Sequence, residues 1–270
     1  MDENMQMTQL TEGRYLYCIA NTKTETDLGE MGIDDNKVYT IPLQDVSAVV
    51  HDCPAKPYES EDAEKVKEWI LAHQYIIDVA TKKFGTVIPF GFDTIIKGND
   101  EVVKSWLENE YPRLKDKLEG LKDKSEYTVQ IFIDSNSLTQ KIEERDEEIK
   151  KLKWIIHTKP KGVAYMLKQK LDKMIRDRLA TEITSYSNDF YYQIKEYVDD
   201  VKVENADKQL PNEFKDKKMI LNLSCLVYQN NVEKLGNLLG KINESKGFAV
   251  RFTGPWAPFS FVKSEENGTN

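Results

Sequence analysis

The stretch GFAVRFTGPWAPFSFV, residues 247–262, carries the strongest structural signal in the chain. From Phe248 to Phe252, apolar residues alternate with smaller or polar ones, and this period of two predicts a half-buried strand. Gly254 and Pro255 end the strand, because proline has no N–H for a sheet ladder and glycine permits the turn. The aromatic residues that follow are too apolar for a solvated tail. We therefore expect the run to fold back onto the sheet of a C-terminal domain.

The composition predicts a folded protein with two modest domains. The chain has 270 residues, of which 40% are hydrophobic, so it can bury a sizeable core. Its net charge of −8 argues against a nucleic-acid backbone or an anionic membrane as the main partner. The three cysteines are odd in number and far apart, which predicts reduced thiols rather than a disulfide framework.

The sequence also predicts a cytoplasmic location. Residues 1–11 are polar and acidic, without the basic and apolar regions of a signal peptide. No apolar run reaches the length of about 18 residues that a membrane-spanning helix requires. We therefore expect neither nucleic acid nor membrane among the partners.

The first half reads as an α+β domain over residues 1–136. Strands are predicted at residues 14–20, 38–43, 46–51, 86–92 and 126–134. Two helices separate the later strands, with Ser60 and Asn99 as candidate caps, and Pro112 is expected to kink or split the second helix. This order predicts two helices on one face of a mostly antiparallel sheet, a ferredoxin-like arrangement.

The second half reads as a helix-rich α+β domain over residues 161–270. Between the domains, residues 137–160 are nearly all charged and predict a solvated connecting helix or linker. After Pro160 the pattern predicts a long helix, then a strand at 219–228, a short helix at 230–243 and the terminal strand.

The chain offers no convincing catalytic, cofactor or metal site. His73 lies on an apolar helix stripe and is expected to be a hydrogen-bonded core histidine. His51, Asp52 and Cys53 are neighbours in a predicted strand, so they point to alternate faces and cannot converge. Paired zinc-ligand spacings and phosphate-binding glycine motifs are absent from the sequence. We predict no catalytic residues, no cofactor and no metal.

Clustered aromatic residues suggest binding to a partner. Phe190, Tyr191 and Tyr192 are consecutive, so a helix cannot turn all three toward one core and at least one should be exposed. Exposed aromatic side chains are frequent anchors of interfaces. The predicted partner-binding residues are Phe190, Tyr191, Tyr192, Trp256, Phe259 and Phe261.

Several segments, in the right order, resemble the gas vesicle GvpL/GvpF family. They are YLYCIA at 15–20, VSAVV at 46–50, AHQYII at 72–77, TVIPFGFDT at 86–94, KGVAYMLK at 161–168 and GPWAPFSFV at 254–262. The resemblance covers nearly the whole chain and is most specific in the terminal run. Two departures are visible: Gly91-Phe92-Asp93 stands where the family usually has Arg-Phe-Gly, and Ala257 and Phe259 replace a proline and a tyrosine.

The resemblance implies an accessory or minor protein of gas vesicle formation, found in the cytoplasm and at the gas vesicle. Such a protein would bind the hydrophobic shell protein and assist its assembly, by nucleation or by preventing aggregation, and would have no enzymatic activity. Other gas vesicle accessory proteins are further candidate partners. The alternative is a small-molecule-binding or catalytic protein on a ferredoxin-like scaffold, since that fold hosts many functions. A deep pocket with converging polar groups would favour the alternative.

Overall fold

The computed structural model describes residues 12–205 and 212–262. Residues 1–11, on which the prediction of no signal peptide rests, lie outside this described part. The chain forms two compact units. Of the described residues, 12–126 and 255–262 belong to the first unit, and the rest, within 127–254, belong to the second.

The described residues form a mixed α+β structure, which confirms the predicted class. The strands are β1 (Glu12–Ala20), β2 (Asp27–Glu30), β3 (Lys37–Leu43), β4 (Val46–Pro54), β5 (Val87–Pro89), β6 (Ile95–Lys97), β7 (Lys124–Ile133), β8 (Asp200–Val203), β9 (Lys218–Tyr228) and β10 (Phe248–Trp256). The helices are α1 (Ala63–Phe84), α2 (Asp100–Leu121), α3 (Ser135–Arg145), α4 (Glu147–Thr158), α5 (Lys161–Lys195), α6 (Val232–Glu244) and α7 (Phe259–Val262). The sequence reading missed β2, β6 and β8, which are too short to show a periodic pattern.

The first sheet has the strand order β2-β3-β4-β1-β5, with β6 also pairing with β1. β1 runs antiparallel to β4 and, on its other edge, to the short strands β5 and β6. A register shift between Leu16 and Cys18 marks a bulge in β1. Because the bulge offsets the alternation by one residue, Tyr15, Tyr17, Cys18 and Ala20 all enter one core cluster.

α1 and α2 pack on opposite faces of the first sheet, which corrects the ferredoxin-like prediction of two helices on one face. The Tyr15 hydroxyl hydrogen-bonds Nδ1 of His73 on α1 at 2.9 Å, whereas Nε of the neighbouring Arg14 bonds Oδ1 of Asp100 on α2 at 2.6 Å. Successive side chains of a strand point to opposite faces, so the two helices lie on different sides. The period of a helix gives its apolar stripe but not the sheet face that it covers.

The two helices begin at side-chain caps. Asn99 caps α2 as predicted, while α1 is capped by Asp62 rather than Ser60. α2 is not split at Pro112 and runs on to Leu121. Pro112 and Glu108, whose carbonyl loses its helical partner, are both exposed, so water can satisfy the unpaired group.

The second sheet has the strand order β10-β7-β9-β8. β1 and β9 therefore lie in different sheets, as expected, but β7 does not belong to the first sheet. This corrects the predicted boundary at residue 136, because the chain enters the second unit at Tyr127. The alternation of Tyr127, Val129 and Ile131 is as predicted, and they pack with α5 and α6. Alternation identifies a strand but not the sheet that it joins.

Residues 137–160 form α3 and α4 within the second unit, which corrects the prediction of a connecting linker. Leu138, Ile142 and Ile149 are buried in a cluster with Ile133 and with Ile183 of α5. The many charged residues of this segment occupy the outer faces of the helices. An apolar stripe of only a few residues is enough to dock them.

The terminal run is shared between the two units. Phe248, Val250 and Phe252 of β10 pack against the core of the second unit, as predicted. From Pro255 onward the chain belongs to the first unit, where Ala257 is buried in the core that contains Tyr15 and Tyr17. Phe259 and Phe261, which follow Gly254, therefore pack in the first unit rather than on the C-terminal sheet. An apolar sequence indicates the need for burial but not which core provides it.

Candidate interaction surfaces

A buried tyrosine–histidine network fixes α1 on the first sheet. Nε2 of His73 lies 3.1 Å from the Phe90 carbonyl oxygen, which can only accept, so Nε2 carries the proton. Nδ1 then accepts from the Tyr15 hydroxyl at 2.9 Å, and that hydroxyl accepts from the Asp93 N–H at 3.0 Å. His73 is thus the hydrogen-bonded core histidine that the sequence predicts.

His51 occupies an equivalent position in the same cluster. Its Nδ1 is 2.7 Å from the Tyr17 hydroxyl and its Nε2 is 2.9 Å from the Tyr58 hydroxyl. The Tyr17 hydroxyl also accepts from the Ile33 N–H at 3.1 Å. His51 stacks on Tyr15 with ring centroids 5.0 Å apart. Through these hydrogen bonds, the two histidines and their tyrosines connect β1 with β4 and with α1.

Burial keeps both imidazoles neutral. It lowers the pKa of His51 to about 4, against the opposing pull of the charges on Asp52 and Asp34. It lowers the pKa of His73 to about 4 as well, despite the hydrogen bond to Phe90. Burial also raises the pKa of the Tyr15 and Tyr17 hydroxyls. Neutral, mutually bonded groups of this kind hold a scaffold in place.

A buried arginine organises the opposite face of the first sheet. Arg14 contacts Glu12, Asp52 and Asp100 at 2.8, 3.0 and 2.6 Å. Burial alone would lower the pKa of Arg14, but the hydrogen bonds to Asp100 and Glu12 outweigh it and raise that pKa. Asp52 therefore points away from His51, as the strand alternation predicts. Within the described residues, His, Cys, Asp and Glu side chains form no group that could hold a metal ion.

The outer side of α1 is unusually apolar. Between Glu68 and Lys82, Asp78 is the only charged residue. α1 buries Trp69, His73, Ile76, Ile77 and Ala80, yet Leu71 remains 60% exposed and Tyr75 56% exposed on the face turned away from the sheet. Ile70, on the flank of the helix, is exposed too. We call Ile70, Leu71 and Tyr75 the α1 band.

Sequence reasoning missed the α1 band because it considered only the apolar stripe of this helix that carries His73, and not the opposite face. The signal in the sequence was the near absence of charged residues over 69–81. A helix that buries only one face normally carries charged or polar residues on the opposite face. An exposed apolar surface of this kind on a folded domain typically marks an interaction site.

The structure separates the six predicted partner-binding residues into accessible and packed ones. Tyr192 is exposed and Trp256 is 42% exposed, whereas Phe190 and Phe261 are buried. Tyr191 packs partly against the core of the second unit, and Phe259 packs partly against that of the first. Phe190, Tyr191 and Tyr192 belong to the second unit, and Trp256, Phe259 and Phe261 belong to the first.

A cavity of about 630 Å³ lies in the first unit between β1, residues 89–96, α2 and Val262. Leu16, Phe90, Ile96 and Trp106 give it mainly apolar walls. The charged groups in its described lining are Glu110 and Arg113, which bond each other at 2.6 Å. This lining lacks the set of converging polar groups that would favour the small-molecule alternative.

None of the helices within residues 12–205 and 212–262 combines the length and apolar character needed to cross a lipid bilayer.

Solved structures share this fold. The crystal structure of the gas vesicle protein GvpF from Anabaena superposes with a TM-score of 0.74 at 19% identity, over 94% of this chain and 99% of that one. GvpF from Microcystis aeruginosa gives a TM-score of 0.62 at 18% identity, over 93% of this chain and 99% of that one.

Sequence comparison gives the family. The chain is 32% identical over 257 residues to gas vesicle protein L1 of Halobacterium salinarum, covering 94% of this chain and 91% of that protein. It is 29% identical to gas vesicle protein L of Haloferax mediterranei, covering 97% and 91% respectively. The family model described as gas vesicle synthesis protein GvpL/GvpF matches residues 13–263. With almost its whole length matched, the chain belongs to the GvpL/GvpF family of gas vesicle synthesis proteins.

Proposed function

We propose that this protein, as a gas vesicle accessory factor, binds the hydrophobic shell protein and keeps it from aggregating before it is assembled. Family membership supports the gas vesicle role. The main structural support for binding of the shell protein is the α1 band, an exposed apolar surface on a helix. A subunit that polymerises into an apolar shell exposes such surface before assembly, and a matching surface can cover it.

The scaffold beneath the α1 band suits this role. His73 and Trp69 anchor α1 from its buried side, through hydrogen bonds to Tyr15 and Phe90 and to Asp34 respectively. The band is therefore held in place before a partner arrives. A rigid surface loses less conformational entropy on binding than a mobile one, so more of the apolar contact becomes net affinity.

Of the aromatic residues that the sequence singles out, Tyr192 and Trp256 are proposed as further partner contacts because they are accessible. Phe190, Tyr191, Phe259 and Phe261 are proposed to act in packing only. The protein acts by stoichiometric binding rather than catalysis in this proposal, since the buried histidines are already bonded to tyrosines. Other accessory proteins of the gas vesicle are proposed as additional partners in the cytoplasm.

The double substitution Leu71→Glu with Tyr75→Glu is expected to abolish capture of the shell protein. It places two charges in the centre of the α1 band, where an apolar partner would have to bury them. We expect the amount of co-expressed shell protein recovered with the purified variant to fall at least about tenfold, since each lost apolar contact costs about 1.5–3 kcal/mol. Gas vesicles counted by electron microscopy should fall with it.

The matched control is Val102→Glu with Val203→Glu, which introduces the same charges at two other exposed apolar positions. Thermal melts should show both variants folded, because none of the four side chains is buried. Equal recovery of shell protein by the two variants would contradict the proposed surface.

A further inference from the structure

The end of the α4–α5 hairpin differs in charge from the rest of the molecule. Between residues 149 and 171 the chain contains seven lysines and no acidic residue, although its net charge is −8. The lysines are Lys150, Lys151, Lys153, Lys159, Lys161, Lys168 and Lys170. We call residues 149–171 the basic tip. The basic tip therefore has a strong local positive charge, although the chain as a whole is negative.

The two helices of the basic tip pack side by side. Arg178 of α5 bonds Asp146 and Glu148 at the start of α4, both at 3.0 Å. At the other end of α4, only Lys159 and Pro160 separate it from α5. The hairpin is therefore antiparallel, and its turn brings the lysines of both helices to one end.

Most of this positive charge is available to a partner. Lys150 pairs with Glu147 and Lys153 pairs with Glu143. The other five lysines form no ion pair with a carboxylate of the described residues. Lysine ammonium groups that are not neutralised within their own chain attract an anionic partner through the local potential.

The basic tip also exposes large apolar side chains. Trp154 on α4 is 70% exposed and Met166 on α5 is 73% exposed, and Val163 and Tyr165 are exposed beside Met166. The core cluster of the hairpin begins further along α5, at Leu171, so these side chains contribute nothing to it. Trp, Tyr and Met are enriched at protein interfaces.

We propose that the basic tip is a docking site for an acidic amphipathic helix of a partner protein. The carboxylates of such a helix would pair with the lysines while its apolar face covers Trp154, Tyr165 and Met166. Nucleic acid fits less well because the tip has no arginine for bidentate phosphate contacts. A bilayer fits less well because a helix lying in a membrane presents a long apolar face, and here only four side chains are involved. The site lies in the second unit and does not depend on the α1 band.

Binding of a fluorescein-labelled synthetic helix, with leucines on one face and glutamates on the other, tests this site by fluorescence anisotropy. We expect the full-length protein to bind this peptide and the variant Lys159→Glu, Lys161→Glu, Lys168→Glu to bind it at least about tenfold more weakly. Trp154→Ala with Met166→Ala should also weaken binding, at unchanged charge. Raising the ionic strength from about 0.1 M to about 1 M should weaken it as well.

The control variant Lys56→Glu, Lys82→Glu, Lys122→Glu changes the net charge equally at exposed positions elsewhere and should bind like the unmodified protein. Binding that falls equally in both charge variants would overturn the proposal, because it would report net charge rather than the tip. Absence of peptide binding would overturn it too. So would retention by phosphatidylserine vesicles that is tip-dependent and stronger than peptide binding, since it would assign the tip to a membrane surface.

Discussion

Replacing Phe261 by Ala should lower the free energy of unfolding of the first unit by about 3 kcal/mol or more, because it opens a cavity under α7. Phe261 is buried, and the same short helix is tied down by Glu126. The Glu126 carboxylate accepts from the Ser260 N–H at 2.8 Å and from its hydroxyl at 2.6 Å. The terminal run thus closes the first unit.

Denaturant unfolding followed by circular dichroism measures this change, and hydrogen exchange locates it. Protection should be lost in β1 and β5 before β9. The control is Trp256→Ala, which removes a larger side chain from an exposed position and should cost less than about 1 kcal/mol. If Trp256→Ala were the more damaging variant, neither the burial of Phe261 nor the hydrogen bonds to Glu126 would be the main attachment of residues 255–262.

Acid should destabilise the protein through its two buried histidines. In the unfolded chain a histidine has a pKa near 6.5, whereas His51 and His73 have pKa values of about 4 when folded. The unfolded state therefore binds more protons between these values. The contribution of the two neutral histidines to the free energy of unfolding is fully present above about pH 6.5. It is lost as the pH falls toward 4, by about 3 kcal/mol for each histidine.

Comparison of the unmodified protein with His73→Gln isolates this contribution. Glutamine can donate to the Phe90 carbonyl and accept from Tyr15 but does not titrate. We expect the variant to be less stable at pH 8 and to lose less stability between pH 7 and pH 5. His157→Gln removes an exposed imidazole and serves as the matched control. Parallel pH profiles for the unmodified protein and His73→Gln would contradict the assignment.

Local periodicity predicted most of the elements, because apolar spacing reflects the geometry of a single helix or strand. It placed β1, β3, β4, β7, β9 and β10, and it placed His73 on the buried stripe of α1. It failed for β2, β6 and β8, which have three or four residues and exist because a neighbouring strand offers hydrogen-bond partners. Tertiary pairing, not local pattern, creates such strands.

The candidate surfaces were harder to predict than the fold. The clustered aromatic residues of the sequence led to Phe190 and Phe261 as predicted partner contacts, but both are buried. The α1 band and the basic tip appear only when exposure is known, since an apolar residue or an unpaired lysine looks the same in sequence wherever it lies. The net charge of −8 does not reveal the basic tip, because it sums the positive charge of the tip with the negative charge of the rest of the chain.

The sequence by itself determined the α+β class, the family, the central strands and the main helices, because each depends on spacing within a short segment. Only the tertiary structure decided that α1 and α2 cover opposite faces, that β7 joins the second sheet, and that residues 255–262 return to the first unit. These outcomes depend on which distant apolar surfaces and hydrogen-bonding edges meet. The pattern within a segment fixes its need for burial but leaves the partner to the folded chain.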